Sequence, residues 1–320
     1  MRIAVIGAGG MGGYFGGRLA RAGEDVIFLA RGASLAALAS LGLSVRSRLG
    51  DEFTLPVEAT DDPDKMGPVD LVLFCVKAYD VDPATLGIRP LIGPATVVLP
   101  LQNGVDHVDR LSQAFGLEHV LGGVSYVAAT AATPGVIVHT GGTKLLLGEL
   151  IGGTSPRTKR LLEAFQRAGI DAEIPADIRV ALWEKFVVVC ATSGMTALTR
   201  LPVGPILACP ESAALVRGVM EETAAVARAM RIPLAGDCVP RLFDVLSRFD
   251  PTARASQYHD LVAGRRLELE SLNGMTVRLG RQHGVPTPLN YALYAALRPY
   301  LDGPPAPAVT AREPPPAWSR

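Results

Sequence analysis

The chain has 320 residues, of which 48% are hydrophobic and 19% are charged, and its 31 basic residues balance its 31 acidic residues. This length predicts about two domains, at roughly 100–200 residues per domain, with enough apolar side chains for a sizeable core. The formal net charge is zero, so the chain has no excess of basic residues. This argues against a protein whose main partner is nucleic acid or an anionic membrane. A small molecule is therefore the expected ligand.

The cysteines and histidines show no metal-ligand spacing, so no metal site is expected. The cysteines fall within or beside apolar residues, as is typical of reduced, buried thiols; they are Cys75, Cys190, Cys209 and Cys238. The apolar run at the N-terminus is too short for a signal peptide, and no stretch approaches the ~18–20 apolar residues of a membrane span. We therefore expect a cytoplasmic protein.

Short apolar runs alternate with helical segments in the first half of the chain. Four runs rich in Val, Ile and Leu predict parallel strands covered on both faces, at 3–7, 25–30, 71–76 and 96–101. A helical segment from Met11 to Arg21 stops before Gly23, so the first two strands and this helix predict a βαβ unit. GVIVHTGG and TKLLLGEL predict further strands, antiparallel or otherwise, and a helix over 156–168 closes the domain.

Helical periodicity dominates the second half of the chain. Proline and glycine separate five predicted helices, at 176–199, 210–231, 239–248, 265–283 and 288–300. The C-terminal stretch is rich in proline and has no periodic apolar face, which predicts disorder. The expected organisation is an α/β nucleotide-binding domain at 1–175, a smaller all-α helical substrate and catalytic domain at 176–302 and a disordered tail at 303–320.

The first predicted strand runs directly into a glycine-rich loop, GAGGMG. In its G-x-G-x-x-G pattern, Gly7 permits a tight turn, Gly9 lets the backbone approach a pyrophosphate, and Gly12 lets helix and strand pack closely. The helix that follows would stabilise phosphate charge at its N-terminus. The expected cofactor-binding loop is therefore Gly7, Ala8, Gly9, Gly10, Met11 and Gly12. We predict an α/β Rossmann-type doubly wound sheet; the alternative is a glycine-rich turn in a flavodoxin-like sheet.

The end of the second predicted strand indicates which dinucleotide binds. NAD sites usually place an Asp or Glu there to accept a hydrogen bond from the ribose 2′-hydroxyl. This chain has Arg31 at that position, in FLARGAS. A guanidinium binds a 2′-phosphate in bidentate fashion, and Ser34 would add a hydroxyl donor. The sequence therefore favours NADPH/NADP⁺, unless Arg31 is an ordinary surface residue.

Lys77 and Asn103 each follow a predicted apolar strand, in FCVKAYD and LPLQNGVD. Ligands of open α/β sheets lie beyond the carboxyl ends of the strands. Both residues are therefore candidates for contact with a cofactor or substrate; the alternative is that each is a solvated turn residue.

Lys185 shares a face of the helix predicted at 176–199 with apolar residues at three- and four-residue steps. Unless its side chain extends to solvent, its charge needs a partner. Glu268 lies with apolar residues of the helix predicted at 265–283, so we expect a Lys185–Glu268 pair across the two helices. Such a lysine would protonate the alkoxide formed when hydride reaches a ketone, and the carboxylate would keep it charged.

From the N-terminus to about residue 300, the chain resembles the ketopantoate reductases (2-dehydropantoate 2-reductases). The matching motifs are GAGGMG, CVKAYD, LQNGV, RVALWEKF and SQYHDLVAGRRLELESLNG. The resemblance implies a Rossmann domain and a helical domain with the active site in the cleft between them. It also implies reduction of 2-dehydropantoate with NADPH, on the route to pantothenate and coenzyme A.

The resemblance implies residue roles where the motifs match. Lys185 would be the general acid, and Glu268 would lie near the substrate and the nicotinamide ribose. Asn103 would contact both cofactor and substrate, Lys77 would match the lysine after the fourth strand at the cofactor, and Ser256 would meet the substrate.

Ala128 would match a backbone contact to the cofactor.

The chain departs from the better-known members of the family at two positions after Lys185. Those members have asparagines that hold the substrate, whereas this chain has Val189 and Ser193. Ser193, with neighbouring Thr192, would replace part of this contact, or the pocket would suit a more apolar branched 2-keto acid. A non-catalytic NADP(H)-binding regulator is a third alternative, and the chain is expected to be a monomer or a homodimer.

Overall fold

The computed structural model describes residues 1–305. Residues 306–320, which include most of the tail predicted to be disordered, lie outside the described part. The predicted fold class is confirmed: an α/β Rossmann-type domain is followed by a helical domain.

The strands of the described part all lie in the first domain. They are β1 (Arg2–Ile6), β2 (Asp25–Leu29), β3 (Leu43–Ser47), β4 (Phe53–Leu55), β5 (Glu58–Thr60), β6 (Leu71–Phe74), β7 (Val97–Pro100), β8 (Leu121–Thr133), β9 (Val136–Glu149) and β10 (Asp171–Glu173). The helices of this domain are α1 (Gly10–Arg21), α2 (Gly32–Leu41), α3 (Val81–Gly87), α4 (His107–Phe115) and α5 (Pro156–Arg167).

The second domain is built from helices and 3₁₀ turns. Its helices are α6 (Ile178–Thr199), α7 (Val203–Ala208), α8 (Pro210–Ala229), α9 (Cys238–Ser247), α10 (Ser256–Val262), α11 (Asn273–His283) and α12 (Pro288–Leu297). Short 3₁₀ turns precede α11, at Leu269–Ser271, and follow α12, at Arg298–Tyr300.

The first sheet is fully parallel, in the order β5-β2-β1-β6-β7. Alternate residues of β1 belong to two separate cores, Ile3 and Val5 on one face and Ala4 and Ile6 on the other. Because both faces are buried, the strands read as continuous apolar runs rather than as alternating patterns. This arrangement places the carboxyl ends of β1, β2, β6 and β7 at one edge.

A second sheet packs against the opposite side of α1. Its order is β10-β9-β3-β4, and β8 pairs antiparallel with β9. The two runs predicted as separate strands, GVIVHTGG and TKLLLGEL, form the single long strand β9. Tyr14 and Phe15 of α1 are fully buried in a core that also contains residues of β3 and β9, so α1 is held between the two sheets.

Helix α6 is the central element of the second domain. Trp183, Phe186 and Cys190 lie in an apolar core with residues of α8, α9, α11 and α12. By length and mean hydropathy, 1.2 over an 18-residue window, α6 could cross a membrane, although the sequence predicted no such segment. However, 72% of that window is buried inside the protein, as expected for the core helix of a globular domain.

Two further sequence predictions, on a helix boundary and on a cysteine, are wrong. The helix predicted at 265–283 begins only at Asn273, since Leu272 has non-helical dihedrals (φ −110°, ψ −107°) and Glu268 precedes a 3₁₀ turn. The apolar stripe assigned to Glu268 is therefore not a helical face. Cys209 is exposed rather than buried, with its thiol beside the carboxylate of Glu211.

Candidate active site

The glycine loop between β1 and α1 has the shape that a dinucleotide phosphate requires. Gly7 adopts φ +97°, and a Cβ there would lie 3.0 Å from the carbonyl carbon of Cys75. A Cβ at Gly12 would lie 2.0 Å from the carbonyl oxygen of Gly7, so only glycine allows α1 to start this close to β1. A Cβ at Gly9 would meet nothing within 4 Å, which leaves its backbone open to a ligand.

A cavity of about 390 Å³ opens beside this loop. It is lined by the loop residues Gly7, Ala8 and Gly9, by Arg31 after the carboxyl end of β2, and by Ser34 in the first turn of α2. Arg31 is exposed at the start of α2, and within residues 1–305 no carboxylate forms an ion pair with it. The open glycine backbone and the guanidinium therefore fit a dinucleotide that carries an extra phosphate.

The other predicted cofactor residues lie around the cavity rather than in its wall. A Cβ at Gly10 would lie 2.1 Å from the carbonyl oxygen of Ala129, so the loop packs tightly against β8. Met11 is half-buried and accepts a weak contact from the Ser125 hydroxyl at 3.6 Å. Ala128 is exposed on β8, where its carbonyl oxygen accepts a hydrogen bond from Thr140 at 3.2 Å.

Lys77 connects the two domains. It follows β6, and its Nζ lies 2.9 Å from Asp260 Oδ2 and 3.0 Å from Glu268 Oε2. The other Glu268 oxygen accepts the backbone N–H of Ala78 at 3.0 Å. Burial alone would lower the pKa of Lys77, but the two carboxylates outweigh it and raise that pKa. Asp260 also pairs with Arg265 at 2.9 Å, so both buried carboxylates are compensated.

Lys185 does not form the ion pair predicted from sequence. Within the described chain it has no ion pair or hydrogen bond, because the turn before α11 directs Glu268 to Lys77 instead. Glu268 acts on Lys185 only through its charge. The side chain of Lys185 is half-buried, yet the protein around its amine is dense. Desolvation therefore lowers its pKa to about 8, against the opposing effect of Glu268.

Asn103 lies in the loop after β7, which packs against the turn containing Ser271. A Cβ at neighbouring Gly104 would lie 3.1 Å from the carbonyl oxygen of Ser271, and Val105 packs in the core around α6. Asn103 is half-buried, and its amide makes no hydrogen bond with the described residues. This places an amide at the boundary of the two domains, near the residues that flank Glu268.

The predicted substrate residues differ in exposure. Ser256 is exposed as the first residue of α10, whereas Ser193 is 1% exposed on α6. Val189 is half-buried on α6, and the Thr192 hydroxyl bonds to the Val188 carbonyl oxygen at 2.9 Å. The Thr192 hydroxyl is therefore engaged by its own helix, and the Ser193 side chain is buried.

Sequence reasoning missed two residues near the site. Asp260 shares Lys77 with Glu268, but no local spacing connects positions 77 and 260. His107 is 1% exposed, and neither ring nitrogen has a partner in the described part of the chain. Burial and the charges of Lys185 and Arg110 lower the pKa of His107 to about 3, so its ring is neutral.

Among residues 1–305 no group of three or more His, Cys, Asp or Glu is placed to hold a metal ion.

Comparison with known proteins agrees with this arrangement. Residues 3–152 match the family described as "Ketopantoate reductase PanE/ApbA", and residues 177–301 match its C-terminal domain. The chain belongs to the ketopantoate reductase family. Over 93% of the chain and 97% of the relative, it is 32% identical to the 2-dehydropantoate 2-reductase of Mesorhizobium japonicum. The family consists of nicotinamide-dependent oxidoreductases acting on small 2-keto acids.

Two solved structures show the same two-domain architecture. The 2-dehydropantoate 2-reductase of Geobacter metallireducens superimposes with a TM-score of 0.88 at 35% identity, covering 93% of this chain and 99% of that one. A D-mandelate dehydrogenase in a ternary structure with NADH and anilino(oxo)acetate gives a TM-score of 0.87 at 25% identity, covering 94% and 98%. The shared fold therefore occurs in proteins named for different reactions.

Proposed function

We propose that this protein reduces 2-dehydropantoate to pantoate with NADPH, in the cytoplasm, as a step of pantothenate and coenzyme A biosynthesis. The observation that carries the proposal is the amine of Lys185. It is half-buried on α6, without an ion-pair partner in residues 1–305, and its pKa is lowered to about 8. An acid with a pKa near the working pH is the most effective proton donor.

The cofactor-binding residues of the proposal are those of the β1–α1 and β2–α2 connections. Gly7, Ala8 and Gly9 would receive the pyrophosphate, and Arg31 with Ser34 would bind the 2′-phosphate. When bound, NADPH would supply the hydride for the C2 carbonyl. Gly10, Met11 and Gly12 would fix the loop, and the Ala128 backbone would contact the cofactor from β8.

Charged residues of the second domain would deliver the proton to the substrate. Lys185 would donate a proton to the developing C2 oxyanion, so the keto group becomes an alcohol and the amine becomes neutral. Glu268, held by Lys77 and the Ala78 N–H, would favour the charged amine and orient the substrate hydroxyl. Activity would fall as the pH rises through about 8, since the deprotonated amine cannot donate.

Three further side chains would position the substrate. Asn103 would contact both cofactor and substrate from the first domain, while Ser256 and Ser193 would bind substrate oxygens from the second. Asn103 and Ser256 have no side-chain hydrogen bond within the described residues, so their polar groups are available to a ligand.

A direct test measures NADPH oxidation with purified enzyme on a panel of 2-keto acids. We expect 2-dehydropantoate to give the highest kcat/KM in the panel. The proposed substrate would be wrong if 2-dehydropantoate ranked among the poorest of the branched 2-keto acids.

Val189 motivates a second candidate, a reductase of a different branched and more apolar 2-keto acid. A valine cannot hydrogen-bond a substrate hydroxyl, and an unmet polar group costs about 1–3 kcal/mol. The likeness to D-mandelate dehydrogenase is compatible with a more apolar substrate. The Val189→Asn variant separates the candidates, with Val188→Asn as a control on the same helix. If 2-dehydropantoate is the substrate, Val189→Asn should lower the KM for 2-dehydropantoate and Val188→Asn should not. If a more apolar 2-keto acid is the substrate, Val189→Asn should lower the activity on that acid.

A further inference from the structure

His107 is a buried polar residue that the proposed reaction does not use. It is the first residue of α4, is 1% exposed, and has no partner at either ring nitrogen within residues 1–305. Gln102, in the same loop, is 7% exposed, and neither of its side-chain polar atoms has a partner there. Buried polar groups are nearly always hydrogen-bonded to protein or water. Two such groups in one loop indicate that this part of the interior contains ordered water.

The neighbours of His107 place it against the stretch of α6 that contains Lys185. Val105 packs in the core that includes Phe186, and Val108 packs in a cluster with Leu182. These α6 residues lie one position after Lys185 and three before it. His107 lies between the two valines along the chain, and its imidazole is buried. It is therefore expected close to this part of α6.

The charge states of Lys185 and His107 allow the first to donate a hydrogen bond and the second to accept one. Burial, first of all, and the charges of Lys185 and Arg110 lower the pKa of His107, so the imidazole is neutral. A neutral imidazole has one nitrogen that accepts and one that donates. The charge of Glu268 acts to raise the pKa of Lys185, but its carboxylate binds Lys77 rather than the amine. The amine therefore has protons to donate, and the imidazole has an acceptor to offer.

We propose that His107 is a positioning residue for Lys185, whose ammonium group donates a hydrogen bond to the ring through one buried water. A water bridge is required because the two side chains make no direct hydrogen bond. The bridge holds the amine at the domain boundary and stabilises its charged form. The effect of the bridge on catalysis rests on the proposed role of Lys185 as proton donor. The existence of the bridge does not rest on that role.

The test compares His107→Leu, which removes the acceptor, with His107→Gln, which keeps a carbonyl acceptor. The titration of the Lys185 amine is measured by competitive acetylation across pH and mass spectrometry, without substrate. Loss of the acceptor disfavours the charged amine, so His107→Leu should lower its pKa by about half a unit to one unit. His107→Gln should keep the wild-type titration. Thermal unfolding of both variants checks that they remain folded.

A second readout is the pH profile of kcat/KM. In His107→Leu the alkaline limb should move to lower pH by the same amount, and His107→Gln should restore it. An unchanged Lys185 titration in folded His107→Leu would overturn the proposal, as would equal shifts in the two variants. If the titration shifts but Lys185→Ala retains full activity, the bridge stands and the proposed acid is wrong. The two failures are therefore distinguishable.

Discussion

Arg31 is the residue on which the choice of cofactor depends. Its guanidinium lines the cavity beside the glycine loop, and no described carboxylate pairs with it. We expect Arg31→Ala to lower kcat/KM for NADPH by about 10- to 100-fold, since a hydrogen bond to a charged group is worth roughly 1.5–3 kcal/mol. Steady-state kinetics with both cofactors provide the measurement, and the value for NADH should change little.

Arg46→Ala is a matched control for this prediction. Arg46 is exposed on β3 and does not line the cavity, so its loss should leave the preference for NADPH unchanged. Equal losses with NADPH and NADH in Arg31→Ala would show that the residue does not read the 2′-phosphate.

Individual residues were predictable where the signal is local. Gly7, Gly9 and Arg31 were placed at one cavity because loop and strand-end positions are fixed by nearby sequence. The Lys185–Glu268 pair was wrong because it assumed a continuous helix before Asn273, and the chain turns there. Asp260 was missed because its partner is 183 residues away. Such contacts depend on how two domains pack, which spacing does not encode.

At the scale of elements, Asn273 fixes the start of α11 against α6. It is fully buried, and its Nδ2 donates to the carbonyl oxygen of Cys190 at 3.2 Å and to Asn290 Oδ1 at 3.0 Å. Glu268 lies a few residues earlier, so this contact anchors the end of the segment that carries its carboxylate. The N-G pair of the ESLNG motif is therefore a structural part of the site.

We expect Asn273→Ala to lower the free energy of unfolding by about 1–3 kcal/mol, because two buried acceptors lose their donor. Asn103→Ala is the matched control: its half-buried amide has no described partner, so the change should stay within about 0.5 kcal/mol. Urea unfolding measures both. A stable Asn273→Ala variant would show that α11 is held by its apolar contacts alone.

The central strands of the first sheet and the longer helices of the second domain were predictable from sequence, for reasons specific to each element. The core strands β1, β2, β6 and β7 are continuous apolar runs because both faces are covered. Helix α6 was recognisable from its long apolar periodicity. Several elements were not predicted: the helices α2, α3, α4, α7 and α10 and the strands β3, β4, β5 and β8. The shortest of these carry too little periodicity to distinguish them from loops.

At the scale of the whole molecule, Lys77 is the ionic link between the domains described above. It joins the end of β6 to Asp260 and Glu268 in the second domain. Lys77→Met leaves two buried carboxylates with less positive charge, so we expect the free energy of unfolding to fall by about 1–2 kcal/mol, allowing for the partly exposed lysine. Urea unfolding provides the measurement.

Lys65→Met is a control for the loss of a lysine charge. Lys65 is exposed and pairs with Asp62 only on the surface, at 3.3 Å, so its removal should cost less than about 0.5 kcal/mol. Similar unfolding free energies for the two variants would contradict a stabilising link through Lys77.

Lys185, on α6, is the central residue of the proposed chemistry. The most direct test measures kcat and the NADPH dissociation constant of Lys185→Ala on 2-dehydropantoate. General acids contribute about 10²- to 10⁴-fold to turnover, so kcat should fall by that factor while the dissociation constant changes less than about twofold. A variant with near-normal kcat would contradict the assignment of Lys185 as the proton donor.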